Sequence, residues 1–419
     1  MRTVFFIVSL LCTLSLNAQI HRELKSTIDT LCSPYYAGRG YIDKGCLKAA
    51  EYITNYFELI GIEKKNIMHQ NYRFNVNTFP KSMQVVLNDS IALKPGIDFL
   101  IDAASAKGHF DNILLKHISL NKLKYRDRIK ILFDSLSEKR YAYVLDSFEL
   151  AIKNLAIKKD DLLAMLPKGL FIIPSNKKLI WDVADYNYKA SVIHIKSDLL
   201  DAHTTTIKID VDQQLDRKIK QKNVVAIIPG ISDSILVYSA HYDHLGKMGS
   251  ATYFPGASDN ASGTALLLAL ANNYKKNKNN KYTMVFIAFS GEEVGLLGSH
   301  YFVEHPLINL KKIKFLTNID IAGDATNGIT VVNGSVFKYQ FDLLNSINKQ
   351  LDLLPEIRSR GKAAISDHYF FSEKNIPSFF MYTNGGKGYY HDVYDQAKEL
   401  SLNNIEGLYN LLIQFYSKL

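Results

Sequence analysis

Four short and almost uninterrupted apolar runs in the second half of the sequence limit the fold more than any other feature. The runs are SILVYSA, YTMVFIAFS, IKFLTNIDIA and PSFFMYT. Strands that are covered on both faces have this composition, whereas half-exposed strands alternate apolar with polar residues. Helical patterns such as ASGTALLLALANNYKK lie between the runs. The alternation predicts an α/β fold with helices packed on a sheet.

Acidic and histidine side chains follow directly after these elements. They are His241 and Asp243 in AHYDHLG, Asp259 in GASDNASG, Glu292 and Glu293 in SGEEVG, Asp320 in NIDIAGD, and His391 in GYYHDVYD. In open α/β sheets, ligands bind beyond the carboxyl ends of the strands. Taken singly, each residue has a simpler interpretation, since Asp259, for example, could cap the helix that follows it. Their joint occurrence at strand ends favours one common site.

The chemistry of this group indicates what it could bind. Burying so many acidic groups together is costly, so they are either solvated and apart or held by a cation. A mixture of histidine and carboxylate without cysteine suits zinc or a similar divalent ion with open coordination positions. Glu292 and Glu293 are adjacent, and neighbouring side chains point in different directions, so we expect each to have its own role.

A different pattern fills the first half of the chain. Residues 20–57 are helical in character, with Gly61 as a stop signal. From about residue 75 to 215, short alternating runs such as MQVVLND, GLFIIP, ASVIHIKS and TIKIDVD surround one helical stretch, LNKLKYRDRIKILFDSLSEKRYAYVLDSFELAIKNL. This composition indicates a separate, mostly β module, and it shows no catalytic constellation.

The N-terminal stretch MRTVFFIVSLLCTLSLNAQ has the layout of a secretory signal peptide. Arg2 precedes an apolar core, and the small residue Ala18 precedes Gln19. We expect cleavage after Ala18 and an exported, periplasmic or extracellular protein; a buried N-terminal helix is the alternative. Export would leave Cys32 and Cys46, which could form a disulfide or remain two buried thiols.

Overall composition excludes several classes of protein. The chain is 47% hydrophobic and 22% charged, as in ordinary soluble domains. Its formal charge of +9 is spread over lysine runs that accompany no aromatic-basic motif, so we expect no nucleic-acid partner. No stretch after the signal peptide reaches the roughly 20 apolar residues of a membrane span. The oligomeric state stays open.

The ordered motifs AHYDHLG, GASDNASG, SGEEVGLLGS, NIDIAGD, SDHYFF and YYHDVYD resemble those of the M28 family of co-catalytic zinc aminopeptidases. The resemblance covers about residues 222–419, and AGRGYIDKGCLKAAEYITNYFELIG is similar to the N-terminal part of the same fold. It implies a three-layer α/β/α mixed sheet of the zinc-exopeptidase type. Residues 19–75 and 216–419 would then form the peptidase domain, and residues 76–215 an inserted domain, since some relatives carry a protease-associated domain there.

Carried onto this sequence, the resemblance implies two zinc ions bridged by Asp259. His241 and Asp320 would complete one site, and Glu293 and His391 the other. Glu292 precedes the glutamate ligand and would be the general base. His244 is not expected to be a ligand, because the family ligand is the first histidine of the motif.

Further positions of the family pattern have supporting roles. Asp243 would orient His241, Asp395 would order the His391 loop, and Tyr390 would stabilise the oxyanion. The SDHYFF segment implies that Asp367 and His368 lie near the substrate groove. The family also tends to have a cis peptide bond after the bridging aspartate, here between Asp259 and Asn260.

The implied reaction is hydrolysis of the N-terminal peptide bond of peptides with a free N-terminus. Two zinc ions would activate a bridging water, and Glu292 would take its proton and pass it to the departing amine. Two alternatives use the same scaffold. One is a glutaminyl-peptide cyclotransferase, whose usual Trp-containing sequence after the paired glutamates is replaced here by EEVGLLGS. The other is a non-catalytic binding module, although every ligand position is filled.

Overall fold

In the computed structural model, two large sheets organise residues 19–121, 123, 125–136, 138 and 140–419, which are the residues that the structure describes. The predicted signal peptide, with Cys12, lies outside this range. Each sheet has eight strands. A two-stranded hairpin, β12–β13, joins Gly246–Met248 to Thr252–Phe254.

The first sheet carries the four apolar runs. Its strand order is β1-β10-β14-β11-β15-β18-β16-β17. The strands span Ile67–Thr78 (β1), Gln214–Ile228 (β10), Ser232–His241 (β11), Tyr282–Phe289 (β14), Ile313–Ile319 (β15), Ile329–Val332 (β16), Ile357–Ser359 (β17) and Ser378–Thr383 (β18). The central strands β14, β11, β15 and β18 run parallel, whereas β10 pairs antiparallel with β14. The predicted mixed sheet and its four buried strands are thus confirmed.

Helices cover both faces of this sheet. They are α1 (residues 19–31), α2 (Gly45–Leu59), α6 (Gly263–Lys276), α7 (Leu297–Glu304), α8 (Lys338–Leu351), α9 (His368–Glu373) and α10 (Ile405–Lys418). Successive residues of β11 join opposite cores: Leu236 packs in the core shared with α2, α6 and α10, and Val237 packs in the core shared with α7 and α9. This alternation gives the three predicted layers.

A second sheet lies within residues 83–211. Its order is β3-β2-β9-β5-β6-β7-β8-β4. The strands span Met83–Leu87 (β2), Ile91–Ala92 (β3), Phe99–Ile101 (β4), Gly108–Ser119 (β5), Tyr141–Asp146 (β6), Leu170–Ser175 (β7), Ser191–Lys196 (β8) and Thr206–Val211 (β9). The helices of this region span Arg126–Ser135 (α3), Phe148–Leu155 (α4) and Lys159–Leu163 (α5). The four runs named from the sequence coincide with β2, β7, β8 and β9.

One expectation for this region was wrong. The stretch predicted to be helical throughout is divided by β6, whose residues 142–145 are fully or almost fully buried. Helical and strand periodicity cannot be separated in so short an apolar run, and the parallel neighbours β5 and β7 decide its conformation. One face of the second sheet packs with Leu245, Met248 and Phe254, so this core is shared between the second sheet and the hairpin region.

Short helical turns connect the longer elements. The 3₁₀ turns are Pro34–Arg39, Ile42–Lys44, Lys64–Asn66, Ser197–Leu199, Leu310–Lys312 and Ala397–Glu399, and a π turn covers Ala257–Ser262. Cys32 and Cys46 are free, buried thiols, so the disulfide alternative does not hold in this structure. None of the helices in the described residues has the length and apolar character that a membrane span requires.

Candidate metal centre

Parallel strands bring three of the predicted ligand segments to one edge of the first sheet. His241 is the last residue of β11, and it pairs with Phe289 at the end of β14, just before the SGEE turn. β15 ends at Ile319, so Asp320 follows on the other side of β11. Because the carboxyl ends of parallel neighbours meet at the same edge, residues far apart in sequence become neighbours.

The π turn Ala257–Ser262 presents Asp259 to this edge. Its peptide bond to Asn260 is cis, which confirms that expectation. Asp395 accepts hydrogen bonds from the main-chain nitrogens of Ser258 at 2.8 Å and Asp259 at 3.1 Å. The Asn260 amide donates to Ile319 O at 3.0 Å, which ties the turn to β15.

The carboxylate of Asp259 lies between the two histidines. Its Oδ1 is 3.3 Å from His241 Nε2, and its Oδ2 is 3.1 Å from His391 Nε2. Asp320 Oδ1 is 3.2 Å from His241 Nε2, and Glu293 Oε2 is 3.2 Å from His391 Nε2. Two ligand atoms on a tetrahedral zinc ion with bonds of about 2.0–2.1 Å lie about 3.3 Å apart. The spacing fits two such ions that share Asp259.

Burial and protonation give an independent test of this fit. The side chains are almost inaccessible to solvent, and Asp259 Oδ1 accepts no hydrogen bond from the described residues. Burial lowers the pKa of His241, but the charges of Asp320 and Glu292 outweigh it and raise that pKa well above its usual value. Burial raises the pKa of Glu293, yet chiefly the His391 charge brings it down to about 2. Protons on the histidines therefore neutralise the carboxylates, and a divalent cation would replace them.

The adjacent glutamates have different surroundings. Glu293 contacts His391 through Oε2, and its Oε1 accepts a hydrogen bond from His244 Nδ1 at 2.6 Å. An oxygen of Glu292 lies instead within 4.8 Å of potential ligand atoms of His241 and Asp320. Burial, assisted by Glu293 and Asp320, raises the pKa of Glu292 well above its usual value.

Asp243 and its neighbours support the His241 side of the centre. His241 Nδ1 donates to the main-chain oxygen of Asp243 at 3.1 Å, whereas the Asp243 carboxylate is 3.9 Å away. That carboxylate accepts from Tyr41 Oη at 2.8 Å and from Glu292 N at 3.3 Å. On Asp320, Oδ2 accepts from Ser366 Oγ at 2.8 Å. All these groups belong to the parts of the chain outside residues 76–215.

His391 has a support that the sequence did not reveal. Its Nδ1 donates to Trp181 O at 2.9 Å and lies 3.2 Å from Asp182 Oδ1. Both partners precede β8 of the second sheet, in the region where the sequence showed no catalytic group. Tyr390 stacks on the His391 ring, with centroids 3.9 Å apart, and its side chain is partly exposed.

Arg39 is a second residue that sequence reasoning missed. It is completely buried and donates to five main-chain oxygens, those of Leu31, Tyr242, Pro255, Gly256 and Asp259. The guanidinium group thus holds both the strand end that carries His241 and the turn that carries Asp259. No local pattern in the segment AGRGYIDKG shows that its arginine reaches residues more than 200 positions away.

Asp367 and His368 lie in the interior, both 0% exposed. Burial raises the pKa of Asp367 to about 7 and lowers that of His368 to about 4. Their neighbour Ser366 contacts Asp320, so the SDHYFF segment adjoins the centre. A role of the two residues in a substrate groove stays a prediction.

Comparison with known proteins agrees with this geometry. The family model described as peptidase family M28 matches residues 223–416. Residues 223–416 of the chain thus belong to peptidase family M28. A protein of Arthroderma otae named probable leucine aminopeptidase is 30% identical over 207 residues, which are 46% of this chain and 55% of that protein. Aminopeptidase YwaD of Bacillus subtilis is 40% identical over 90 residues, 21% of this chain and 18% of its own.

Solved structures of other proteins share the fold over nearly the whole chain. The zinc aminopeptidase BSAP from Bacillus subtilis superposes with a TM-score of 0.68 at 20% identity, covering 95% of this chain and 94% of its own. A peptidase M28 precursor from Shewanella amazonensis gives a TM-score of 0.69 at 13% identity, covering 96% and 95%. These likenesses confirm the fold class. The chain spans about half the length of the curated relatives it matches.

Proposed function

We propose that this M28 protein is an exported, zinc-dependent aminopeptidase that hydrolyses the N-terminal peptide bond of peptides. The observation that carries the proposal is the position of Asp259, whose two oxygens face two different histidines. Each histidine also contacts a second carboxylate, Asp320 or Glu293. Family membership supports hydrolysis of peptides as the reaction.

Two ligand sets on this chain would hold two zinc ions. His241, Asp259 and Asp320 form one set, and Asp259, Glu293 and His391 form the other. Each set contains one imidazole and two carboxylates, which leaves open positions as catalytic zinc sites do. In both histidines Nδ1 donates to a main-chain oxygen, so Nε2 is the nitrogen that would bind a metal once its proton is displaced.

The residues around the two sets supply proton transfer and charge stabilisation. Bound zinc would acidify a water and polarise the scissile carbonyl. Glu292, which belongs to neither set, would act as the general base that accepts a proton from the attacking water and gives it to the departing amine. Tyr390 directs its hydroxyl group to the oxyanion that forms. Anionic groups in the same pocket hold the substrate's free α-ammonium group, which restricts cleavage to the N-terminus.

A cavity of about 210 Å³ next to the centre suggests the kind of side chain that is accepted. Tyr390 lines it together with Ile321, which follows the ligand Asp320, and Leu400. Asp324, Lys387, Asp395 and Glu399 also line the cavity, but most of its accessible wall is apolar. This favours an apolar side chain, in agreement with the probable leucine aminopeptidases among the relatives. We therefore expect leucine-like residues at the substrate N-terminus.

Two further features of the proposal concern the whole chain. The signal peptide would be removed after Ala18, and N-terminal sequencing of the mature protein should then begin at Gln19. Residues 76–215 would be an accessory domain inserted in the peptidase domain, as the extent of the second sheet suggests.

Metal analysis combined with a panel of aminoacyl reporter amides tests the function. We expect two zinc ions per chain, rapid cleavage of free leucyl amides and no cleavage of N-acetylated ones. Equal activity on blocked N-termini would exclude an aminopeptidase. A single zinc ion with pyroglutamate as the product from N-terminal glutamine would instead indicate the cyclotransferase, and no turnover of any member would favour the binding module.

A further inference from the structure

Asp182, which lies between β7 and β8 of the second sheet, reaches a ligand of the candidate metal centre. Its Oδ1 lies 3.2 Å from His391 Nδ1, across a separation of 209 residues in sequence. We propose that Asp182 is a positioning residue for His391, so that the zinc on the Glu293 side depends on the region 76–215. This inference rests on the proposed two-ion site.

The segment that carries Asp182 is fixed against the His391 loop from several directions. Trp181 and His391 exchange two hydrogen bonds, since Trp181 N donates to His391 O at 3.0 Å and His391 Nδ1 donates to Trp181 O. Lys178 donates to Gly388 O at 2.8 Å and forms an ion pair with Asp392. Residues 178–182 and 388–392 therefore form one clamp.

The Trp181 side chain anchors this clamp in the shared core. Its indole nitrogen donates to Ile101 O at 2.8 Å, and its ring stacks on Phe254 with centroids 4.7 Å apart. Phe254 ends the hairpin, three residues before the π turn Ala257–Ser262 that carries Asp259. The position of Asp182 is therefore set by packing rather than by its own contacts.

A carboxylate on Nδ1 has a specific chemical effect on a metal-binding histidine. It fixes the tautomer that leaves Nε2 free, orients the ring and increases the basicity of the ligand atom. The main-chain oxygen of Trp181 provides the hydrogen bond, but only Asp182 adds a negative charge.

Because Asp182 is exposed, the effect of its substitution on zinc binding can be measured apart from any effect on folding. Its side chain is 63% exposed, whereas the His391 side chain is 8% exposed. Exposed ion pairs contribute little to stability, so replacing Asp182 should leave the fold intact. Asp185 is a matched control, because it is an exposed aspartate three residues further along the chain, and both aspartates line a cavity of about 260 Å³ that also reaches Glu293.

Zinc retention measured on full-length variants tests the inference. Wild type, Asp182→Asn, Asp182→Ala, Asp182→Glu and Asp185→Asn would be loaded with zinc and dialysed against increasing concentrations of a chelator. For Asp182→Asn and Asp182→Ala we expect one of the two ions to leave at about tenfold lower chelator concentration, with the other unchanged. Asp182→Glu should recover part of the affinity, and Asp185→Asn should match wild type.

The outcomes distinguish this inference from the function on which it rests. If Asp182→Asn retained both ions as wild type does, or if Asp185→Asn lost zinc equally, Asp182 would have no positioning role even though the peptidase activity stood. If wild type bound no zinc, the two-ion proposal itself would fail and the inference with it. A kcat lowered in Asp182→Asn at unchanged KM would add support, because a structural defect would change both.

Discussion

The two histidines of the candidate metal centre have the same chemistry and different supports. His241 ends a central strand, and its Nδ1 contacts a main-chain oxygen only two residues away, beside the fully buried Asp243. His391 lies on a loop, and its Nδ1 contacts residues 181 and 182 of the second sheet. The peptidase part alone thus forms the first half of the centre, whereas the second half depends on how two regions pack together.

The largest expected effect comes from the residue that both halves share. Asp259→Ala should lose both zinc ions and reduce peptidase activity to background, because each ligand set needs one of its oxygens. The turn should persist, since Arg39 and Asp395 hold its main chain. Metal content and activity measure the effect, with the melting temperature of metal-free wild type as control. Retention of one ion would show that Asp259 is not a bridge.

Substituting one ligand on either side of Asp259 should remove the zinc ion on that side and leave the other ion bound. Asp320→Ala should lose only the ion on the His241 side, and Glu293→Ala only the ion on the His391 side, which leaves one zinc per chain in each variant. Crystals of each variant, measured at the zinc absorption edge, would show which position is filled. Loss of both ions from either variant would mean that the halves are not independent.

Substituting Glu292, which is adjacent to Glu293, should lower turnover without loss of zinc from either half of the centre. Glu292→Gln keeps the size of the side chain but cannot accept a proton, so kcat should fall by about 10²–10⁴ with both ions retained. Steady-state kinetics and metal analysis of the same preparation test this. If Glu292→Gln lost an ion instead, Glu292 would be the ligand and Glu293 the base.

The smallest expected effects are on the free energy of unfolding, and they compare the carboxylates beside the two histidines. Asp243 is fully buried and accepts from Tyr41, so Asp243→Asn should lower the free energy of unfolding by about 1–3 kcal/mol. Asp182→Asn should change it by less than about 0.5 kcal/mol, because Asp182 is exposed. Denaturant unfolding of the metal-free proteins measures both.

Tyr41→Phe provides the control for the Asp243 variant. It removes one donor from the same carboxylate, and the double variant with Asp243→Asn should cost less than the sum of the two single changes. Strict additivity would show that the Tyr41 contact does not stabilise Asp243.

Much of the fold followed from local patterns. The strands β11, β14, β15 and β18 were predictable, because strands buried on both faces leave continuous apolar runs and the turns after them carry polar residues. The division of the region 121–155 was not predictable. There β6 is recognisable only once β5 and β7 lie on either side of it, since its short apolar run is compatible with either helix or strand.

The candidate site divides in the same way. The sequence alone determined which residues could hold metal ions: His241, Asp259, Glu293, Asp320 and His391 stand in short motifs at strand ends, where the chemistry of each side chain and its order in the chain can be recognised. The tertiary structure alone decided what surrounds them. Arg39, Tyr41 and Asp182 reach the centre across separations of about 200 residues, and such contacts leave no local periodicity or spacing in the sequence. Packing between elements brings them together. The different supports of the two histidines can therefore be recognised only in the folded chain.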